Sequence, residues 1–286
     1  MSATHDGTKP YYFVPQPSHW PITGSCGLLL MATGAATWFN SYAIGPWLVL
    51  AGFAVLLAMM FGWFGHVIDE SERRLYNHRV DISFRWGMGW FIFSEVMFFA
   101  AFFGALFYVR NLSVPWLGDL EQKLLWPDYT AAWPTMGPYL KDAFTPMGAI
   151  GIPLLNTILL LSSGATLTVA HYALKEGRRG ALKLWLFLTI ALGITFLCFQ
   201  AFEYTHAYSE LNLKLSSGVY GSTFFMLTGF HGFHVTVGAI MLSVMLVRIF
   251  RGHFDAQHHF AFEAAAWYWH FVDVVWLLLF VLVYWL

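Results

Sequence analysis

Glu95 sits inside the run Phe91-Ile92-Phe93-Ser94-Glu95-Val96-Met97-Phe98-Phe99, where no other group can solvate a charge. Such an acid is either protonated or tightly paired. It reads as a functional carboxyl, or as a hydrogen bond that fastens one helix to the next. Glu263, His270 and Asp273 fall within roughly 80° of one another at 100° per residue, so they form one stripe that should face protein and not lipid. His231 and His234, at i and i+3, share a helix face. Two imidazoles at that spacing can chelate a metal given further ligands from other helices, but hydrogen bonding between helices is the commoner use. Glu203-Tyr204-Thr205-His206 has the E-x-x-H spacing of carboxylate-bridged di-iron bundles. That site needs a second E-x-x-H and two more glutamates at matching depth, and the chain has no second copy. The residues therefore assign neither a catalytic group nor a metal set.

The elements that carry these groups follow from composition. Of 286 residues, 58% are hydrophobic and only 11% charged, against about a quarter charged in soluble domains. The net charge of -1, with Lys and Arg scattered along the chain, offers no basic face for phosphates and argues against nucleic acid as a partner. Apolar runs longer than about 18 residues point to membrane-crossing helices, not to the roughly ten-residue alternating segments of a barrel. The runs predict seven spans, at 21–39, 46–67, 85–109, 150–174, 181–204, 218–250 and 259–286. Glu95 is ten residues into the third span, about 15 Å along the helix and near the bilayer midplane. The first twenty residues, with His5, Asp6 and Lys9, lack a basic stretch followed by an apolar one, so the first span is expected to be retained.

Lys9, Arg73, Arg74, Arg79, Arg85, Lys175, Arg178, Arg179, Lys183, Arg248 and Arg251 fall on one side of these spans. Arg110, Lys123, Lys141 and Lys214 fall on the other. The positive-inside rule then puts the N-terminus in the cytoplasm. The connection 111–149, rich in Pro and Trp, lies outside, either as a docking surface or as an insertion packed on the helix ends. Cys26 and Cys198 differ too much in depth for a disulfide and read as small core residues. Span seven has no lysine for a retinal Schiff base, and no repeat or mid-span break marks a transporter.

Longer motifs carry a resemblance. HHFAFEAAAWYWHFVDVVWLLLF (258–280), GVYGSTFFMLTGFHGFHV (218–235), FSEVMFF (93–99) and PLLNTILLLSSG (153–164) resemble subunit III of the haem-copper cytochrome c oxidases, and the likeness covers nearly the whole chain. It implies an all-α membrane protein of seven helices, with helices 1–2 set apart from helices 3–7 by a lipid-filled V-shaped cleft. It also implies a cofactor-free, non-catalytic subunit. Subunit I would be the direct partner, with subunit II and small subunits beside it. Haem a, haem a3 and copper would reside in those partners, and cytochrome c would donate electrons to the complex.

By the same resemblance, Trp63, His66 and Glu70, and Arg248, Arg251 and His253, are phospholipid headgroup contacts, although positive-inside topology alone explains part of the arginines. Glu95 matches the family's intramembrane glutamate, near a path for oxygen. His231, His234, Glu263, His270 and Asp273 are expected as buried polar helix contacts. The 71–81 loop lacks the family's Gly-His-His-Thr-Pro stretch, which leaves open whether Asn77 or His78 replaces its histidine.

The expected organisation is a cytoplasmic segment 1–20, a two-helix bundle 21–69, a cytoplasmic loop 70–84 and a five-helix bundle 85–286. The expected location is a bacterial inner membrane, in a proton-pumping aa3-type oxidase. A quinol oxidase of the same superfamily is the near alternative, less favoured because the first two spans are present. A transporter and an intramembrane di-metal enzyme are the distant ones.

Overall fold

The computed structural model describes residues 13–140 and 143–285; Lys9 and Lys141, used above for orientation, lie outside them. Among the described residues all regular structure is helical, and seven helices are long and apolar enough to cross a membrane. They are α1 (Trp20–Phe39), α2 (Gly45–Glu72), α3 (His78–Tyr108), α4 (Ile152–Lys175), α5 (Arg179–Ser209), α6 (Gly218–Phe250) and α7 (Phe260–Leu279). α3 runs on through a π-helical turn, Val109–Ser113, into Val114–Trp116, and α7 ends in a second such turn, Phe280–Trp285.

Helix ends follow local chemistry. Prolines stand in the first turns of α1, α2 and α4, where a missing N–H leaves no bond unmade. Gly177 (φ +70°) and Gly252 (φ +87°) end α4 and α6 in the left-handed conformation that returns N–H groups to the last carbonyls. The helices outrun the apolar segments at α2 and α3, leaving only 73–77 as the turn between them. Arg73 pairs with Asp69 one turn back, and Asn77 Oδ1 accepts the N–H groups of Arg79 and Val80, each at 3.0 Å, which makes Asn77 the N-cap of α3.

The chain divides into two compact units, Met1–Phe84 and Arg85–Leu286. In the first, α1 and α2 form a hairpin whose seam is lined by Gly24, Gly27, Gly34, Gly45 and Gly52, all buried. A Cβ on Gly52 would stand 2.7 Å from the Gly27 carbonyl oxygen, so the two backbones touch. The outer faces, including Leu28, Leu29, Trp47, Phe53 and Phe61, are exposed apolar surface, as expected where the solvent is lipid.

In the second unit α7 is the hub. Over its most apolar stretch 56% of residues are buried, against 11% in α3. Trp269 and Trp276 are fully enclosed, and their indole N–H groups donate to Ser163 Oγ and Thr157 Oγ1 on α4, each at 2.9 Å. Room for Trp269 comes from Gly193 on α5 and Gly238 on α6, where a Cβ would fall within 2.6 Å and 2.8 Å of its ring.

Cys26 and Cys198 correct the sequence reading: both are exposed, not core. Gly24 and Gly27 occupy the inward face of α1, and Gly193, Phe196 and Gln200 that of α5, which turns each cysteine outward.

Candidate functional site

Glu95 meets His234. Its Oε2 lies 2.8 Å from His234 Nε2, a contact from α3 to α6. The other nitrogen of that ring, Nδ1, is 2.6 Å from the Phe230 carbonyl one turn earlier. A carbonyl only accepts, so Nδ1 carries a proton. One further proton then serves the Glu95 contact, held either as carboxylic acid donating to Nε2 or as imidazolium donating to carboxylate. The pair is neutral in both forms, which lets it sit among apolar side chains. Phe98 and Phe99 pack on the His234 ring at 5.8 and 5.0 Å, with Tyr268 at 6.3 Å. The Glu95 side chain keeps 22% exposure, so the pair lies at the rim of the bundle.

His231 does not join it as a chelate. Its Nε2 donates to the Val272 carbonyl on α7 at 3.2 Å, and its ring lies between Phe196 and Trp276. The i, i+3 spacing therefore serves two separate helix contacts, α6 to α7 and α6 to α3. Glu203 and His206 likewise form no ligand pair: Glu203 is fully buried and accepts from Tyr284 Oη at 2.7 Å. Among the described residues no group of three or more His, Cys, Asp or Glu side chains is arranged to hold a metal ion.

The α7 stripe is divided among partners. Glu263 Oε2 accepts from Arg85 Nη1 at 2.7 Å, an ion pair from α7 to the start of the second unit, with Arg85 also over the Phe260 ring. Asp273 is buried against Gly164 on α4, its Oδ2 3.6 Å from His270 Nδ1, and His270 itself stays half open.

The headgroup candidates fall in both units. In the first, His66 Nδ1 accepts from Trp20 Nε1 at 3.0 Å, and Glu70 Oε2 accepts from Tyr76 Oη at 2.7 Å. Trp63 is exposed and stacks on Phe64. Burial, the hydrogen bond to Glu70 and repulsion by its carboxylate together hold the Tyr76 phenol well above its usual range. Asn77 is occupied as a helix cap, whereas His78 is exposed.

In the second unit Arg251 is exposed, but Arg248 is buried, its guanidinium 4.2 Å over the Phe254 ring and its Nε 3.3 Å from His253 Nδ1. Arg248 lies inside the α6–α7 turn, held there by an aromatic face and an imidazole.

Several groups were not singled out from sequence. Arg179 donates to the carbonyls of Gly252, His253 and Phe254, joining the α4–α5 turn to the α6–α7 turn. Asp255 Oδ1 accepts the N–H groups of Gln257 and His258. Burial pushes its carboxyl up, but these bonds and the His258 ring outweigh that and hold it below its usual value. No sequence signal marks Arg179, since a cation at a helix start looks like ordinary topology.

The comparisons bear on the chain as a whole. The family described as "Cytochrome c oxidase subunit III" matches residues 9–286. The chain is 43% identical over 283 residues to "Cytochrome c oxidase subunit 3" of Dugong dugon, covering 99% of this chain and 98% of that protein. It is 44% identical over 285 residues to the protein of that name from Oryctolagus cuniculus, with 99% and 98% covered. For that of Latimeria chalumnae the identity is 44% over 275 residues, covering 96% of each. With the match end to end, and with seven apolar helices to go with it, this multi-pass membrane chain belongs to the cytochrome c oxidase subunit III family.

Proposed function

We propose that the chain is a non-catalytic subunit that docks on subunit I of a proton-pumping aa3-type cytochrome c oxidase and stabilises the active complex. Subunit II completes the core, haem a, haem a3 and copper belong to the partners, and cytochrome c supplies electrons. The observation that carries this is the match to cytochrome c oxidase subunit III along nearly the whole chain, and the Glu95–His234 pair, partly open at the rim of the bundle, is the polar contact that it offers a neighbour. An intramembrane carboxyl with an open edge calls for a protein neighbour. There the shared proton and the phenylalanines around it would shape the passage of oxygen and steady the interface.

The phospholipid role divides by unit: Trp63, His66 and Glu70 in the first, Arg251 and His253 in the second, with Arg248 holding the turn that presents them. In this reading the membrane is a bacterial cytoplasmic membrane, and the distribution of Lys and Arg supports an N-terminus on its inner side. Purification through a tag on this chain in mild detergent tests the reading. Haem a bands and copper should co-purify and then separate from this chain, leaving it colourless. A solitary chain that carries its own iron would overturn it.

A further inference from the structure

Between α4 and α7 the second unit has an open groove of about 220 Å³ that none of the roles above uses. Thr168, His171 and Lys175 line it from α4, and Ala266, Trp267 and His270 from α7. Lys175 is the last residue of α4 and Thr168 lies about 10 Å deeper along the axis. The groove, which Tyr172 also lines, is therefore cationic at its mouth, with hydroxyl and imidazole side chains beside Ala266 and Trp267 within.

Lys175 is exposed and takes part in no ion pair among the described residues. The adjacent Glu176 is bound to Arg178 and does not neutralise it. His171 Nε2 is buried in the same groove without a hydrogen-bond partner, its ring 5.5 Å from that of His259 and 5.6 Å from Phe262. A buried imidazole nitrogen of that kind is costly unless something donates to it or accepts from it. Of the acids on α7, Glu263 is paired with Arg85 and Asp273 is buried against Gly164, and neither lines the groove.

Continuing the groove into the membrane, Leu161 lies two turns below Thr168, and Val274 and Leu277 lie beyond His270, all exposed. They form an apolar track that starts where the cationic mouth ends. The enclosed volume is below the roughly 300–1,000 Å³ of pockets that swallow a whole ligand, so it fits a headgroup and a few methylenes, with the rest of the molecule on the open track.

We propose that this groove seats one anionic phospholipid, its phosphate against Lys175 Nζ at the mouth, its headgroup beside Thr168, Tyr172 and His270, and one acyl chain along Leu161, Val274 and Leu277. The site is distinct from the headgroup contacts assigned above. It rests on the geometry of the second unit alone, so it stands or falls independently of them.

The test uses the oxidase complex purified with this chain and placed in nanodiscs with photoactivatable phosphatidylglycerol or phosphatidylcholine. Labelled peptides are then mapped. The anionic probe should label 161–175 and 266–277. Lys175→Gln should lower that labelling about fivefold, Lys175→Arg should restore it, and the zwitterionic probe should label weakly throughout. An unchanged haem spectrum shows that each variant complex is assembled. Val274→Trp, which fills the track and leaves the cation in place, should also reduce labelling. Equal labelling by both probes, insensitivity to Lys175→Gln, protection of both segments by a partner helix, or equal displacement by a single-chain carboxylate amphiphile would each overturn the proposal.

Discussion

Glu95 and His234 share one proton across 2.8 Å because the ring's other nitrogen is committed to the Phe230 carbonyl. Glu95→Ala strips Nε2 of its partner and should cost about 1–3 kcal/mol in the contact between α3 and α6. Glu95→Gln can still donate an amide hydrogen to Nε2 but has no proton to transfer. The alanine complex should assemble poorly and inactivate early in turnover, and the glutamine complex should assemble normally with altered oxygen kinetics. If both match the unmodified complex in turnover, oxygen affinity and lifetime, the role given to Glu95 is abandoned.

Gly193→Ala should be damaging for a steric reason. The new methyl would stand 2.6 Å from the Trp269 ring, which is fully enclosed and cannot swing away. A loss of about 1–3 kcal/mol is expected in detergent unfolding, with a shift in tryptophan emission. Gly65→Ala, where nothing lies within 4 Å, is the matched control and should be near neutral.

At alkaline pH the α2–α3 turn depends on Tyr76. Its folded phenol is raised by burial first and by Glu70 second, so its contribution is complete below the usual phenol value of about 10 and is lost as pH rises through the folded value. Tyrosinate absorbance should show a late-ionising set of tyrosines, and Tyr76→Phe should lose one member of it. Ionisation of every tyrosine together at the usual value would contradict this.

Asp255 works in the opposite direction. Its lowered carboxyl steadies the α6–α7 turn above the usual aspartate value of about 3.9, and that contribution is lost as pH falls through the folded value. Amide protection over 252–259, taken relative to the intrinsic exchange rate at each pH, should therefore fall on acidification. Asp255→Ala should exchange fast already at neutral pH, with no further acid step in this turn.

Orientation can be read from chemistry at the two ends of α5. Glu176→Cys and Lys214→Cys, both at exposed positions, should react with an impermeant maleimide from opposite sides of the membrane, residue 176 from the cytoplasm. Labelling of both from one side would refute the assigned topology.

The seven helices were legible because a span declares itself through length and hydropathy, which are properties of the chain alone. So was the place of Glu95 within the third of them, since position along an apolar run is also read from the chain alone. What a histidine does there was not legible. His231 and His234 have a spacing that serves a metal or two helix contacts equally, and only the positions of Val272, Phe230 and Glu95 decide between them. The joining of Glu263 to Arg85 was hidden for a similar reason, because the partners are 178 residues apart and neither spacing nor composition links them. The surroundings of Arg248 were not legible either, because a cation at a helix end gives no sign that Gly252 and the left-handed Phe254 fold the chain back under it.

The glycine seam of α1 and α2 bears on how the chain is made. Because those two helices touch backbone to backbone within a contiguous stretch of sequence, every surface they need is present once Glu72 has been synthesised. The hairpin can thus leave the translocation machinery as a finished pair, while Arg179 must wait for carbonyls more than seventy residues downstream before it has its final partners. Biogenesis would then proceed in two stages of unequal risk, with quality control having most to watch in the later one.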